Sequence, residues 1–94
     1  MPVEIVWSPV ARRRLQEIRD YTAKDKPVAA EKLAIRIVAA VQALRKYPHL
    51  GRAGADPDIR ELVIGKTPYI VLYKVHGSKI TINIVWHGAQ RRES

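Results

Sequence analysis

The clearest structural pattern in the sequence is "KTPYIVLYKVHGSKITINIVWHGAQRR", Lys66 to Arg92. It holds two apolar runs of strand length, Tyr69–His76 and Lys79–His87, separated by only two residues. The first of these two, Gly77, tolerates the positive φ that a type II′ hairpin turn needs at its first central position. The stretch therefore predicts two neighbouring antiparallel strands, the second of which ends in a polar, basic segment.

Alternation along the second strand assigns its side chains to two faces, because successive strand residues point in opposite directions. One face is predicted to carry Ile80, Ile82, Ile84 and Trp86. The other is predicted to carry Thr81, Asn83, Val85 and His87. We expect the buried core to include Ile82, Ile84, Leu72, Ile37 and Val41.

Two helices are predicted upstream of this hairpin. Ser8 suits the N-cap and Pro9 the first helical position, so the first helix begins there and runs to about Asp25. A second, longer helix runs from Pro27 to about Tyr47. The apolar residues of both fall at helical spacing: Ala11, Leu15, Ile18, Tyr21, and then Ala30, Leu33, Ala34, Ile37, Val38, Val41 and Leu44. The short connection between the helices predicts an antiparallel helix hairpin.

Two further strands complete the pattern. Val3–Trp7 reads as a short N-terminal strand, and Ile59–Ile64 as a strand that follows a Pro- and Gly-containing loop, Tyr47–Asp58. The order is strand, helix, helix and then a three-stranded antiparallel meander. It predicts a single α+β domain over residues 1–94, with the helices packed on one face of a small sheet. The place of the first strand in the sheet stays open.

Composition limits the kind of function. Seventeen Lys and Arg against nine Asp and Glu give a net charge of +8, which favours a polyanionic partner, either nucleic acid or an acidic protein. The chain has no cysteine, which excludes disulfides, thiolate nucleophiles and cysteine-ligated zinc. It has no phosphate-loop motif and no metal-ligand spacing, so we expect no cofactor and no metal. With no run of membrane-spanning length and no signal sequence, we expect a cytoplasmic protein that does not contact a membrane.

Four segments carry a family likeness: "SPVARRRLQEIRDYTAKDKPVAAEKL", "LRKYPHLGRAG", "IRELVIGKTPYIVLYKVHG" and "IVWHGAQRR". In this order and spacing they resemble the RelE/ParE superfamily of bacterial type II toxins, and its ParE-like branch in particular. The resemblance implies a RelE/ParE-like fold and an acidic, ParD-like antitoxin that neutralises the toxin in a hetero-oligomer. ParE-like members poison DNA gyrase, whereas RelE-like members cut mRNA on the ribosome.

We next ask whether the chain has the residues that RNA cleavage requires. Cleavage of RNA needs a proton acceptor, a proton donor and cations around the phosphate. His87 could transfer the proton, and Arg60, Arg52 and Arg91 could hold phosphate. However, the RelE-like pattern has an arginine where this chain has Ile70. The sequence therefore favours an inhibitor that binds its target without chemistry. The alternatives are a ribosome-dependent endoribonuclease and a basic module that binds only an antitoxin.

Two sets of binding residues follow from this interpretation. The polar end of the last strand is predicted to bind the target through Trp86, His87, Arg91 and Arg92. Tyr69 and Tyr73 share one face of their strand and are the predicted antitoxin contacts. For the aromatic residues and His87, ordinary packing is the competing interpretation.

Overall fold

A computed structural model describes residues 3–88 of the chain. Its helices are α1 (Pro9–Ala23) and α2 (Pro27–Gln42), and a 3-10 turn (Ala43–Arg45) follows α2. Its strands are β1 (Glu4–Trp7), β2 (Arg52–Ala53), β3 (Arg60–Val63), β4 (Tyr69–His76) and β5 (Lys79–His87). Neither described helix is long and apolar enough to cross a membrane.

The start of α1 follows the sequence prediction and also ties the helix to the sheet. The Ser8 hydroxyl accepts a hydrogen bond from the Ala11 N–H at 2.9 Å, as an N-cap does. The same hydroxyl donates to the carbonyl of Asn83 in β5 at 2.8 Å. Pro9 occupies the first turn, where its missing N–H costs no helical hydrogen bond.

The five strands form one sheet in the order β1-β5-β4-β3-β2. β1 runs parallel to β5, and all the other pairs are antiparallel. A parallel pair needs a long crossover, which the helix hairpin provides. The predicted α+β fold is confirmed, and its open point is answered: the first strand lies at the sheet edge beside β5. The two-residue β2 lies inside the segment predicted to be only a loop.

The hairpin between β4 and β5 forms as predicted, with Gly77 at φ +56° and His76 paired with Lys79. Farther along, a bulge interrupts the pairing: Leu72 pairs with Ile84, but Tyr73 pairs with Ile82, so Asn83 is an extra residue in β5. An extra residue shifts the alternation by one, and every later side chain changes face.

This bulge makes the predicted faces of β5 wrong beyond Ile82. Ile80, Ile82 and Val85 are buried against the helices, whereas Ile84 and Trp86 turn to the opposite side of the sheet. Ile84 and its partner Leu72 are consequently only half-buried, which corrects the core prediction for both residues.

The core lies between the helix hairpin and one face of the sheet. Its largest fully buried side chains are Tyr73, Ile37, Leu44, Ile64, Ile80, Ile82, Val41, Val71 and Val85. Tyr21 was predicted to lie on the buried stripe of α1, but it is 73% exposed because it belongs to the last turn, at the end of the helix hairpin. We call the opposite sheet face the open face and define it by Val63, Ile70, Leu72, Ile84 and Trp86.

Candidate functional site

The end of β5 brings together two predicted site residues. The rings of His87 and Tyr69 meet edge to face, with centroids 5.4 Å apart and planes at 84°. They line a cavity of about 420 Å³ against α1, which we call the His87 cleft; its other walls are Arg14, Glu17, Ile18 and Tyr21. Imidazole and phenol are both groups that transfer protons in enzymes. The cleft therefore combines an acid–base pair with a nearby guanidinium.

The charged wall of the His87 cleft is itself engaged. Arg14 donates through Nε to the Val85 carbonyl at 3.4 Å and pairs with Glu17 at 3.5 Å. These contacts direct the guanidinium toward the protein and toward a carboxylate, both of which compete with an incoming phosphate. The cleft is less suited to phosphate than its residue types alone would indicate.

Trp86 lies on the open face, on the side of the sheet away from the His87 cleft. It pairs with Ile70 across β4 and β5, and Ile70 in turn pairs with Val63. The Trp86 indole N–H is buried and has no hydrogen-bond acceptor within the described part of the chain. Ile70 stands where a RelE-like arginine is expected, and it therefore lies between two other apolar side chains, Val63 and Trp86.

The two candidate arginines of the loop region point in different directions. Arg60 donates through Nη1 to the Gly51 carbonyl at 2.7 Å. Arg52 donates through Nε at 3.1 Å to Glu61, a carboxylate that is only 5% exposed. Because Arg52 pairs with Glu61 and Arg60 pairs with Ala53 in the β2–β3 register, the arginines lie on opposite faces of the sheet.

Separation along the sheet divides the predicted catalytic set further. His87 in β5 pairs with Tyr69, and Arg60 in β3 pairs with Tyr73. Tyr69 and Tyr73 are four residues apart along β4, and β3 and β5 flank β4 on opposite sides. Four residues span about 13 Å of strand, and the two flanking strands add about 10 Å across the sheet. His87 and Arg60 cannot contact the same phosphate at these positions. Arg91 and Arg92 lie outside the described residues.

Tyr73 is fully buried and holds the loop before β2 against the sheet. Its hydroxyl accepts from the Gly51 N–H at 2.8 Å and donates to the Pro48 carbonyl at 2.9 Å. Burial raises the pKa of the Tyr73 phenol, although the Gly51 hydrogen bond and the Arg60 charge oppose the rise. Tyr73 has no exposed surface with which to contact an antitoxin, so its role here is packing. The contact predicted for Tyr69 stays a prediction.

A larger surface feature lies between the two helices. We call it the helix groove: a cavity of about 720 Å³ lined by Trp7, Arg12, Leu15, Gln16, Arg19, Glu31, Ala34, Ile35, Val38 and Ala39. Arg19 and Glu31 form an ion pair across it. Ile35 is 64% exposed here. One sequence signal indicated this groove, because Ile35 is an apolar residue outside the predicted buried stripe of α2.

A smaller, mainly polar cavity lies at the other end of the sheet from the His87 cleft. It measures about 280 Å³ and is lined by His49, Pro57, Asp58, Arg60, Val75 and His76. We call it the histidine pocket. Nothing in the spacing of the two histidines along the sequence placed them together.

This architecture defines a class of protein, the RelE/ParE-type toxins. A solved structure described as the chromosomal ParDE TA system from P. aeruginosa superposes with a TM-score of 0.83 at 25% identity, covering 90% of this chain and 95% of the other. The RelBE2 toxin–antitoxin complex of Mycobacterium tuberculosis shares the fold, with a TM-score of 0.63 at 17% identity over 93% of this chain and 99% of the other.

Residues 5–92 match the family described as ParE toxin of type II toxin-antitoxin system, parDE, and the chain belongs to this family. It is 42% identical to a protein named as toxin Y4kP of Sinorhizobium fredii, over 93% of this chain and 90% of that protein. It is 36% identical to toxin RelE2 of Caulobacter vibrioides, over 93% and 97% respectively. The chain is therefore a toxin of a type II toxin–antitoxin system.

Proposed function

We propose that this toxin arrests growth by binding and poisoning DNA gyrase, and that it performs no chemistry of its own. The observation that carries the proposal is the open face: Ile70 stands between Val63 and Trp86, at the position where a RelE-like enzyme has a phosphate-binding arginine. An apolar row offers surface for a protein contact and no charge for a phosphate.

The scatter of the candidate catalytic groups supports the same proposal. Enzymes that stabilise a charged transition state hold their donors around one point before the substrate arrives. Here Arg52 is paired with the buried Glu61, Arg60 is bonded to a loop carbonyl, and His87 lies at the far end of β5. The groups that would have to converge on one phosphate therefore start in three separate places.

The choice of gyrase comes from the family likeness, since ParE-like toxins are the gyrase poisons of the superfamily. Relatives of this chain carry both RelE and ParE names, so names alone do not select the target. The residues of the site must select it, because one fold supports both activities.

The alternative function is a RelE-like, ribosome-dependent mRNA endoribonuclease. One observation favours it: His87 and Tyr69 are in contact in a cleft that also contains Arg14. In this alternative His87 transfers the proton, and Arg14 takes the place of the predicted arginines in holding the phosphate. The Arg14–Glu17 pair would have to open for this to happen.

The target-binding surface is proposed at the end of β5. Trp86 faces the open side of the sheet and His87 faces the cleft, so a target could contact the end of β5 from either face of the sheet. Arg91 and Arg92 follow in the sequence and are proposed to add charge to the same surface. Aromatic residues and arginine are the residue types that most often dominate binding at protein interfaces.

We also propose that an acidic, ParD-like antitoxin neutralises the toxin by laying an amphipathic segment in the helix groove. The floor of the groove is apolar, with Leu15, Ala34 and Val38, and Arg12 and Arg19 stand at its rim. A helix with apolar anchors and acidic flanks complements such a groove in shape and charge. Both proposed targets, gyrase and the ribosome, are cytoplasmic, which is the location we propose for the toxin.

The test is expression of the toxin without its antitoxin, at matched levels of folded protein. We expect gyrase-dependent DNA breaks and SOS induction to precede any arrest of translation. His87→Ala should keep the breaks, because it removes a proton-transfer group but only a small part of the target contact. Arg91→Ala/Arg92→Ala should reduce the breaks through weaker target binding. Ribosome-dependent mRNA cleavage that disappears in His87→Ala would establish the endoribonuclease instead.

A further inference from the structure

The histidine pocket brings side chains from three separate segments to one place. His49 belongs to the loop after the 3-10 turn, Arg60 begins β3 and His76 ends β4. None of these residues takes part in the proposed gyrase surface or in the helix groove. The convergence is created by the fold, since the three positions are far apart in the sequence.

These side chains have unused hydrogen-bonding capacity. A guanidinium has five N–H donors, and residues 3–88 engage one of those of Arg60, through the Gly51 carbonyl at 2.7 Å. That bond also fixes the direction of the arginine. Neither imidazole, of His49 or of His76, has a hydrogen-bond partner within residues 3–88. Each offers one N–H donor when neutral and two when protonated.

The geometry and composition of these donors select the ligand chemistry. Donors that reach a point from three segments suit a tetrahedral oxyanion, which accepts from several directions, better than a planar carboxylate. Arginine is the cation best adapted to phosphate oxygens. No group of three or more potential metal ligands forms within the described part of the chain.

One carboxylate lines the same pocket and allows a specific test of anion binding. Asp58 lines the pocket but forms no ion pair with Arg60 among residues 3–88. A neighbouring negative charge weakens the binding of an anion, so its removal should strengthen binding.

We propose that the histidine pocket is a binding site for a phosphoryl group, held by Arg60, His49 and His76. The phosphoryl group belongs either to a free phosphate or small phosphate ester, or to the backbone of a nucleic acid. The site is independent of the gyrase proposal, because it uses none of the residues assigned to the target or to the antitoxin.

The experiment is a titration of the isotope-labelled toxin with inorganic phosphate at constant ionic strength, followed by backbone and imidazole NMR signals. We expect saturable shifts confined to residues around positions 49, 58–60 and 75–76. His49→Ala/His76→Ala should weaken binding at least about ten-fold, because alanine has no donor to replace the two imidazole hydrogen bonds to a charged group. Asp58→Asn should tighten it. Arg36→Gln removes a charge from the exposed side of α2 and should match the wild type.

A second arm uses a single-stranded oligonucleotide without terminal phosphates. The same local shifts and the same order of variant affinities would identify a nucleic-acid backbone as the ligand, whereas a response to inorganic phosphate alone would identify a small phosphate. The proposal is overturned if neither probe shifts the pocket, or if Asp58→Asn and the histidine double variant bind as the wild type does. The substituted residues His49, His76 and Asp58 are exposed, so we expect each variant to give the spectrum of a folded protein.

Discussion

Tyr73 connects the loop before β2 to the centre of the sheet. Its hydroxyl group satisfies the Gly51 N–H and the Pro48 carbonyl, two backbone groups that are otherwise taken from water. The loop approaches the ring so closely that a Cβ at residue 51 would lie 2.8 Å from Tyr73 Cε1, which explains the glycine there. One phenol therefore fixes both the loop and the start of the strand pair that follows it.

Tyr73→Phe is expected to destabilise the toxin by about 1–3 kcal/mol, because two buried backbone groups lose their partner. Tyr69→Phe is the matched control, since the Tyr69 hydroxyl has no hydrogen bond to residues 3–88, and its thermal midpoint should stay close to that of the wild type. Equal midpoints for the two variants would contradict the role assigned to the Tyr73 hydroxyl. Differential scanning calorimetry measures the difference.

The raised pKa of Tyr73 predicts a loss of stability in alkali. The folded state keeps the phenol proton at pH values above 10.0, the usual pKa, at which the unfolded chain releases it. The folded state then binds more protons than the unfolded state, so the free energy of unfolding falls as pH rises. Below that pH the contribution is fully present. Urea unfolding between pH 9 and 11 should show a shallower decline for Tyr73→Phe than for the wild type and Tyr69→Phe; parallel curves would refute this.

For the helices and strands, sequence periodicity predicted the secondary structure correctly wherever no irregularity such as a bulge interrupted the pattern. The start of α1 at Pro9, the start of α2 at Pro27 and the β4–β5 hairpin are confirmed. The bulge at Asn83 was not predictable from alternation, because a strand pattern carries no signal for one extra residue. In the fold, the Asn83 carbonyl accepts a hydrogen bond from the Ser8 hydroxyl at the start of α1. Residues beyond the bulge were accordingly assigned to the wrong face.

The two isoleucines of α2 test which face of the helix is buried. Ile37 has no exposed surface, and its truncation to Ala should cost about 2–5 kcal/mol through lost burial and a residual cavity. Ile35 is 64% exposed in the helix groove, so Ile35→Ala should change stability by no more than about 0.5 kcal/mol. If chemical denaturation gave the two variants the same stability, the assignment of the buried face would be wrong.

At the scale of the whole molecule, the sequence predicted the class of protein better than it predicted the site. Candidate residues such as His87 and Arg60 could be chosen by their chemistry, but their separation depends on strand register. The histidine pocket arises from packing between separate segments, which no local pattern encodes. The helix groove had one local signal, the apolar Ile35 outside the predicted buried stripe of α2. Sequence identifies the groups that could act, whereas tertiary structure decides which of them meet.

The net charge of +8 predicts electrostatic steering of the antitoxin. The association rate constant should fall as salt rises from low to physiological concentration, because ions screen the attraction between the partners. Ile35→Ala should leave that rate nearly unchanged and accelerate dissociation, since the apolar contact forms after encounter. Stopped-flow and surface binding measurements separate the two rates. An association rate constant that does not change with salt would contradict electrostatic steering.

Purified components can test our proposal that this toxin inhibits by binding gyrase and without chemistry. The measurement is DNA cleavage and supercoiling by gyrase in the presence of wild-type toxin or His87→Ala, with mRNA cleavage in programmed ribosomes assayed in parallel. We predict that both proteins stabilise gyrase-dependent breaks to a similar extent and that neither cuts mRNA. If the wild type left gyrase unaffected and cut mRNA, and His87→Ala abolished that cleavage, the toxin would be an endoribonuclease and the gyrase proposal would be wrong.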